Sequence, residues 1–365
     1  VTCPTAGKHN DVAKQQNRLY QKNTMIYRSK APLRIGLAGG GTDVSPYSDE
    51  FGGAILNATL SLYAHASIEP MQETGIVLQA LDRKEEQRFE WTSELPVNGH
   101  LDLLKGVYNR IHKDYGVPLT NFKLSTYVDA PAGSGLGTSS TLVVAIIGAF
   151  VEMLKLPLGD YDIAHYAYEI ERRDLNLAGG KQDQYAATFG GVNFMEFYHD
   201  DKVIVNPLRI RQEYLNELEN NLVLYFTATS RESATIIKAQ QKNVNDKNAK
   251  SIEAMHQLKE QAKMMKEALL KGRLHEIGEI LDFGFQQKRL MAENISNSRI
   301  EEIYDAAKKA GATGGKISGA GGGGFMTFYC PGNTRYKVTE VLNNFGGQVR
   351  PYQFVQHGLT TWTTQ

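Results

Sequence analysis

The sequence predicts an α+β fold in two domains, and three observations carry that expectation. Short strand-like stretches at residues 34–37, 54–56, 64–68 and 76–80 are mixed with helix-like ones, which argues against an all-α or all-β chain. The second half repeats the mixture, with a helical stretch at 300–310, a glycine segment at 311–324, an apolar strand at 325–330 and a helical stretch at 334–345. At 365 residues the chain also exceeds the roughly 250 to 300 residues at which a single core stops growing, so a cleft between two domains is expected.

Taken in order, residues 1–24 are polar, hold no apolar run of the signal-peptide kind and precede Met25, where strand patterning begins. They are set apart as an extension without fixed structure. A first domain is assigned to 25–205 and a second to 206–365, because Asp200-Asp201 turn the chain polar and the boundary is expected between 198 and 220. Apolar residues at 101, 104, 107, 108 and 111 make a helical stripe. Phe122, Leu124, Thr126 and Val128 alternate with Lys123, Ser125 and Tyr127 in the period of a strand. The run 142–151 is apolar apart from one glycine and is about half of the roughly 20 residues that span a bilayer, so it reads as a buried helix. Helical content continues through 163–173 until Gly179-Gly180 breaks it. Strand candidates follow at 203–205 and 222–226, and 245–272, rich in Lys, Glu, Ala, Met and Gln, reads as a helix with a solvated charged face.

Forty basic and forty acidic residues cancel without a long block of one sign. That removes the electrostatic footprint of a nucleic-acid or anionic-membrane binder and favours small-molecule chemistry. Cys3 and Cys330 are far apart, so neither a disulfide framework nor a zinc site is indicated, and a reducing, cytoplasmic setting is expected.

Four segments carry the chemistry. Pro131-Ala-Gly-Ser-Gly-Leu-Gly-Thr-Ser-Ser140 joins the strand ending near 130 to a helix expected to start near Thr138. Gly133, Gly135 and Gly137 can take backbone angles closed to residues with a Cβ, so N–H groups can converge on one anion where the helix dipole is positive. The hydroxyls of Thr138, Ser139 and Ser140 then reach a phosphate or its metal. The spacing excludes a Walker A loop, which ends in Gly-Lys-Ser/Thr, and a G-x-G-x-x-G dinucleotide fingerprint. A glycine turn with a serine N-cap is the bland alternative; a phosphate cradle makes a kinase the leading reading.

Arg34-Ile-Gly-Leu-Ala-Gly-Gly-Gly-Thr-Asp43 runs a strand into three glycines, a hydroxyl and a carboxylate. Thr42 and Asp43 would bond the hydroxyls of a sugar, unless Asp43 only caps the next segment. Glu171 and Asp183 flank a glycine loop. Phosphoryl transfer needs a metal near the nucleotide phosphates and a group that orients or deprotonates the acceptor hydroxyl. Glu171 suits the first task and Asp183 the second, with surface salt bridges to Arg172 and Arg173 as the alternative for Glu171. Lys316-Ile-Ser-Gly-Ala-Gly-Gly-Gly-Gly-Phe325 is too glycine-dense for an ordinary hairpin, and close approach to a ligand would explain it.

In this order the four segments resemble the GHMP kinase superfamily, which includes galactokinase and the homoserine, mevalonate and phosphomevalonate kinases, from about Met25 to near the C-terminus. Gly39-Gly-Gly-Thr-Asp43 and Gly179-Gly-Lys-Gln-Asp183-Gln-Tyr look most like the D-glycero-D-manno-heptose 7-phosphate kinases, with the kinase part of bacterial fucokinases close behind. The resemblance implies an N-terminal domain like ribosomal protein S5 domain 2, a ferredoxin-like C-terminal domain, and ATP with Mg2+ and a sugar bound between them. It assigns Asp183 as the catalytic aspartate with Arg34 beside it, and Ser139 and Glu171 as magnesium ligands. Pro131, Gly133, Ser134, Gly135, Leu136, Gly137, Thr138, Ser139 and Ser140 would form the ATP loop. Gly41, Thr42, Asp43, Gly180, Lys181, Gly321 and Gly322 would line the substrate. Two departures matter. The loop reads Thr138-Ser139-Ser140 where many relatives have Ser-Ser-Ala, which leaves Ser140 as an alternative ligand, and one more residue separates Glu171 from Asp183 than in mevalonate kinases.

The reaction so implied is phosphorylation of the anomeric hydroxyl of a heptose 7-phosphate, on the way to a nucleotide-activated heptose for surface glycans. Arg34 would hold Asp183 ionised, and the distal phosphate would need cations, for which Arg28, Lys30, Lys181 and Arg172 are candidates. An L-fucose kinase is the competing enzyme. A silent sugar or nucleotide sensor would keep the glycine loops but not both carboxylates, and a Rossmann oxidoreductase ranks below it. Self-association into a homo-oligomer is left open.

Overall fold

Residues 25–118, 121–229 and 233–365 are described in a computed structural model, and the segment set apart at 1–24 lies outside them. The first part runs β1 (Ile26–Ala38), α1 (Tyr47–Phe51), β2 (Gly53–Pro70), β3 (Gly75–Ala80), β4 (Glu85–Phe89), α2 (Asp102–Tyr115), β5 (Asn121–Val128), α3 (Thr138–Leu154), α4 (Asp160–Glu169), a π turn at Ile170–Asp174, α5 (Gln182–Phe189), β6 (Val192–Phe197) and β7 (Val203–Pro207). The second runs α6 (Gln212–Asn221), β8 (Leu222–Phe226), α7 (Ser233–Asn245), α8 (Ala249–Leu270), α9 (Ile277–Met291), α10 (Ser298–Ala310), β9 (Gly314–Ile317), β10 (Phe325–Tyr329), α11 (Thr334–Asn343), β11 (Gln348–Val349) and β12 (Thr360–Thr364).

β1 and β2 are the spine of an eight-stranded sheet ordered β12-β1-β2-β5-β3-β4, with β6 and β7 extending from the other half of β2. Pairing is antiparallel except between β3 and β5. The sequence reads β2 as two short strands, whereas the chain forms one strand of 18 residues. Its first eight residues are all buried and its far half alternates buried with half-buried positions, so two periods run through one element. The apolar run 142–151 lies inside α3, buried as expected.

The second sheet has the order β11-β8-β10-β9, all antiparallel, as a ferredoxin-like domain requires. The glycine segment expected at 311–324 includes β9. Alternation in β8 places Leu222 and Leu224 in the core shared with the large sheet, and Val223 and Tyr225 in a second core with α10 and α11. The small sheet is therefore a wall between two cores, and α8 contributes Ala262, Met265 and Leu269 to the shared one.

The proposed division at 205/206 leaves out one return of the chain. β12 pairs with β1 at the edge of the large sheet, Ile26 opposite Thr364 and Lys30 opposite Thr360, so the last residues lie on the first domain. Leu359 fills the space beside Gly148 of α3, where a Cβ would meet its Cδ1.

Candidate active site

The turn before α3 is built as its glycines require. Gly133, Gly135 and Gly137 have φ of 72°, 83° and 78°, all in the region closed to most side chains, and α3 starts at Thr138. The loop is braced from outside: Arg34 N donates to Leu136 O (3.2 Å), Phe325 N donates to Ser134 O (2.9 Å), and a Cβ on Gly135 would stand 2.7 Å from Ser318 O. Ser134 and Leu136 are consequently buried with their side chains away from the cleft. Pro131 is exposed at the start of the turn.

Asp183, in the first turn of α5, stands directly against this loop. Its Oδ2 is 3.2 Å from where a Cβ on Gly137 would lie. Arg34 Nε (2.7 Å) and Nη2 (2.6 Å) both converge on Oδ1, while Arg34 Nη1 donates to Gly135 O (2.7 Å). Arg34 is 3% exposed, so one buried guanidinium fixes both the aspartate and the phosphate loop, and Oδ2 is left without a hydrogen bond among the described residues.

Glu171 lies in the π turn, a geometry with one residue more per turn than an α-helix. Its Oε1 accepts from Ser139 Oγ (2.8 Å) and its Oε2 from Gln184 Nε2 (2.5 Å), which also donates to Ser140 Oγ (3.1 Å). The surface salt bridge considered for Glu171 is not what holds it: the carboxylate is buried, with Arg172 at 3.7 Å.

Asp43 is buried and its Oδ2 accepts from the backbone N–H of Lys181 (2.9 Å) and Gln182 (3.0 Å), so it caps α5 from across the cleft. Its carboxylate fills the space where a side chain on Gly180 would begin, which is why that position is glycine. Oδ1 has no partner among the described residues, and burial pushes the carboxyl up from its ordinary value.

These groups line one cavity of about 290 Å³ together with Gly40, Gly41, Gly319 and Ala320. Four expected substrate residues lie elsewhere. Thr42 is fully buried, with its Oγ1 bonded to Gly39 O, Ala54 O and Ala54 N, because it locks the turn between β1 and β2. Gly321 and Gly322 pack on Ile295, whose carbonyl accepts from Gly322 N (2.8 Å). The Lys181 ammonium bonds Asp201 (2.8 Å) and Asp49 (3.2 Å); burial lowers its pKa but these partners more than offset it, leaving a net rise.

Two lysines not expected at the site stand there, Lys288 in its lining and Lys316 behind it. Lys288 of α9 lines the cavity and its Nζ donates to Gly319 O; Lys316 Nζ donates to Gly36 O (2.6 Å). Lys288 follows Ile277, Leu281 and Phe285 on the buried stripe of α9, and a lysine at an apolar position of such a stripe was the available signal. Of the cations considered for a distal phosphate, Arg28 lies in a separate recess beside Trp362 and Lys30 sits over the Tyr63 ring. Arg172 and Lys181 instead border a recess that shares Asp43 and residues 177–179 with the main cavity, and α7 adds Lys238 to it.

Residues 102–191 match the GHMP kinase N-terminal domain and 265–348 the GHMP kinase C-terminal domain. The chain is 46% identical, over 92% of its length and 98% of the relative's, to the D-glycero-alpha-D-manno-heptose 7-phosphate kinase of Campylobacter jejuni. It is a GHMP kinase. A crystal structure described as a D-glycero-D-manno-heptose 1-phosphate kinase from Bacteroides thetaiotaomicron superposes with a TM-score of 0.78 at 48% identity, covering 92% of this chain and 98% of that one. The galactose complex of Lactococcus lactis galactokinase shares the fold, with a TM-score of 0.74 at 17% identity over 96% and 99% of the two chains. As a member of this family the kinase is an ATP-dependent sugar kinase of mixed helix and sheet. Among its described residues no helix is long and apolar enough to cross a membrane.

The kinase's residues fit a magnesium ion. Ser139 Oγ and Glu171 Oε1 are hard oxygen donors at the start of α3, and no cluster of three or more His, Cys, Asp or Glu occurs among the described residues. Mg2+ is commonly held by one or two protein oxygens with phosphate and water completing its shell.

Proposed function

We propose that this kinase transfers the terminal phosphoryl group of ATP to the anomeric C1 hydroxyl of D-glycero-D-manno-heptose 7-phosphate, giving the 1,7-bisphosphate and ADP. The observation that carries the reading is Asp183 against Gly137, with one carboxylate oxygen taken by Arg34 and the other free beside the phosphate loop.

Asp183 Oδ2 accepts the acceptor's proton as the new O–P bond forms, and Arg34 keeps the carboxylate in place through Oδ1. An anomeric hydroxyl is more acidic than an ordinary alcohol, so modest base assistance suffices. The free Oδ1 of Asp43 accepts from a sugar hydroxyl. Ser139 and Glu171 would hold magnesium, which would supply neutralisation of charge on the nucleotide phosphates. The adenine ring suits the apolar recess of about 280 Å³ that shares Gly133, Thr138 and Ser139 with the main cavity and is walled by Leu104, Val128 and Leu142.

The acceptor's own phosphate goes to the recess bordered by Arg172 and Lys238, since Lys238 carries no carboxylate among the described residues. A fucose kinase would have no use for these cations. The buried Cys330 thiol accords with work in a reducing cytoplasm. The product would feed a nucleotide-activated heptose for surface glycans.

The test is an ADP-release assay with three acceptors: heptose 7-phosphate, heptose 1-phosphate and free L-fucose. The reading expects heptose 7-phosphate to give the highest kcat/KM and 31P NMR to place the new phosphate on C1. Preference for fucose, or a new phosphate elsewhere on the heptose, would overturn it.

A further inference from the structure

Lys288 and Lys316 are 5% and 7% exposed, and neither has a carboxylate within ion-pair distance among the described residues. Buried charges are normally paired or hold a ligand, because an isolated ammonium taken out of water is costly. The two ammonium groups approach one spot: a Cβ on Gly40 would be 4.0 Å from Lys288 Nζ and 3.9 Å from Lys316 Nζ. Charged groups acting on Lys288 are Arg34 from β1 and Asp43 from the loop after it, and Lys288 in turn acts on Lys316 of β9. Burial and the Arg34 charge lower the Lys288 pKa to about 8 against the pull of Asp43, and burial together with the Lys288 and Arg34 charges pushes the Lys316 ammonium well below its ordinary value.

Only Lys288 opens on the cavity, and it does so beside Gly319, the residue that packs on Gly135 of the phosphate loop. Arg34 is committed to Asp183 and Gly135 and Arg172 to Gly180 O, which leaves Lys288 as the cation lining the cavity, among the described residues, that can turn to a phosphate. We propose that Lys288 is a catalytic residue whose ammonium group binds the terminal phosphoryl group of the nucleotide while it passes to the acceptor. The acceptor oxygen bonds to that phosphorus, the bridging P–O bond breaks with its electron pair leaving on ADP, and the acceptor proton goes to Asp183. Lys288 keeps its protons and offsets equatorial oxygen charge. Lys316 sits behind it, tied to Gly36 O.

The inference rests on the kinase reading but not on the identity of the sugar. Calorimetric titration of the wild type, K288M and K288R with magnesium AMP-PNP and magnesium ADP tests it without an acceptor. K288M should lose roughly tenfold or more in AMP-PNP affinity and less than about twofold for ADP, and K288R should recover most of the loss, since charge-assisted bonds to the third phosphate are what is removed. Equal losses for both nucleotides, or none, would overturn the proposal. Should K288M fold poorly, K288Q carries the same comparison. A second readout is the pH profile of kcat/KM, which falls as pH rises through about 8 if Lys288 must be charged. K288R should remove that limb, and a limb unchanged in K288R would count against the role. A wrong sugar leaves the nucleotide results standing, so the two failures are distinguishable.

Discussion

The two walls of the cleft treat their charges differently. On the wall built by the first sheet, Arg34 meets Asp183, Ser139 meets Glu171, and Asp43 meets two backbone amides. On the opposite wall, α9 and β9 bring in two buried lysines that meet only carbonyl oxygens. A paired wall is organised before any ligand arrives, whereas an unpaired one carries a cost that a polyanion can offset on binding. One wall thereby sets geometry, and the other is built to take up the charge of a polyanion.

The strongest way to break this contrast is to disable the paired wall at its base. Asp183→Asn should lower kcat by about a hundred- to ten-thousandfold while magnesium ATP still binds, and near-normal turnover would remove the proton-accepting role. Next in size, Ser139→Ala should weaken the magnesium response roughly ten- to hundredfold, with Ser140→Ala much closer to wild type; the reverse order in a magnesium titration of activity would transfer the ligand role to Ser140. Lys238→Met should raise KM for heptose 7-phosphate about fivefold, because the ammonium is exposed and partly screened, and leave an unphosphorylated acceptor unaffected.

The smallest effect sharpens the unpaired wall. A lysine whose pKa is lower in the folded than in the unfolded chain binds fewer protons when folded between those two values. Stability then rises with pH from about 8 towards the ordinary value of 10.5, and below about 8 the full cost is present. K288M should therefore unfold at the same temperature as the wild type or a few degrees higher at pH 7, with the gap closing above pH 9 in a thermal melt. A lower melting temperature at pH 7 would mean that Lys288 is already compensated.

Much of the paired wall was legible in the sequence because glycines and carboxylates at fixed spacings announce themselves. Gly133, Gly135 and Gly137 take the positive φ anticipated for them, and Ser139, Glu171, Asp183 and Arg34 meet at one end of α3. The glycine run after Lys316 shows the limit. Every glycine there looks equally fit to approach a ligand, yet only Gly319 lines the cavity with Ala320, while Gly321 and Gly322 serve packing on Ile295. Thr42 misleads for a similar reason, since a hydroxyl beside Asp43 can satisfy the backbone as readily as a sugar. Lys288 was hidden because α9 itself went unread, and its meaning depends on which face of that helix is buried.

The pairing of β12 with β1 sets an order on biosynthesis. Residues 360–364 must leave the ribosome before the outer edge of the large sheet is covered, so until they do the Ile26–Lys30 edge presents open backbone donors and acceptors. Until then that edge is open to other strands, and deletion of residues 360–364 would leave it open in the folded enzyme.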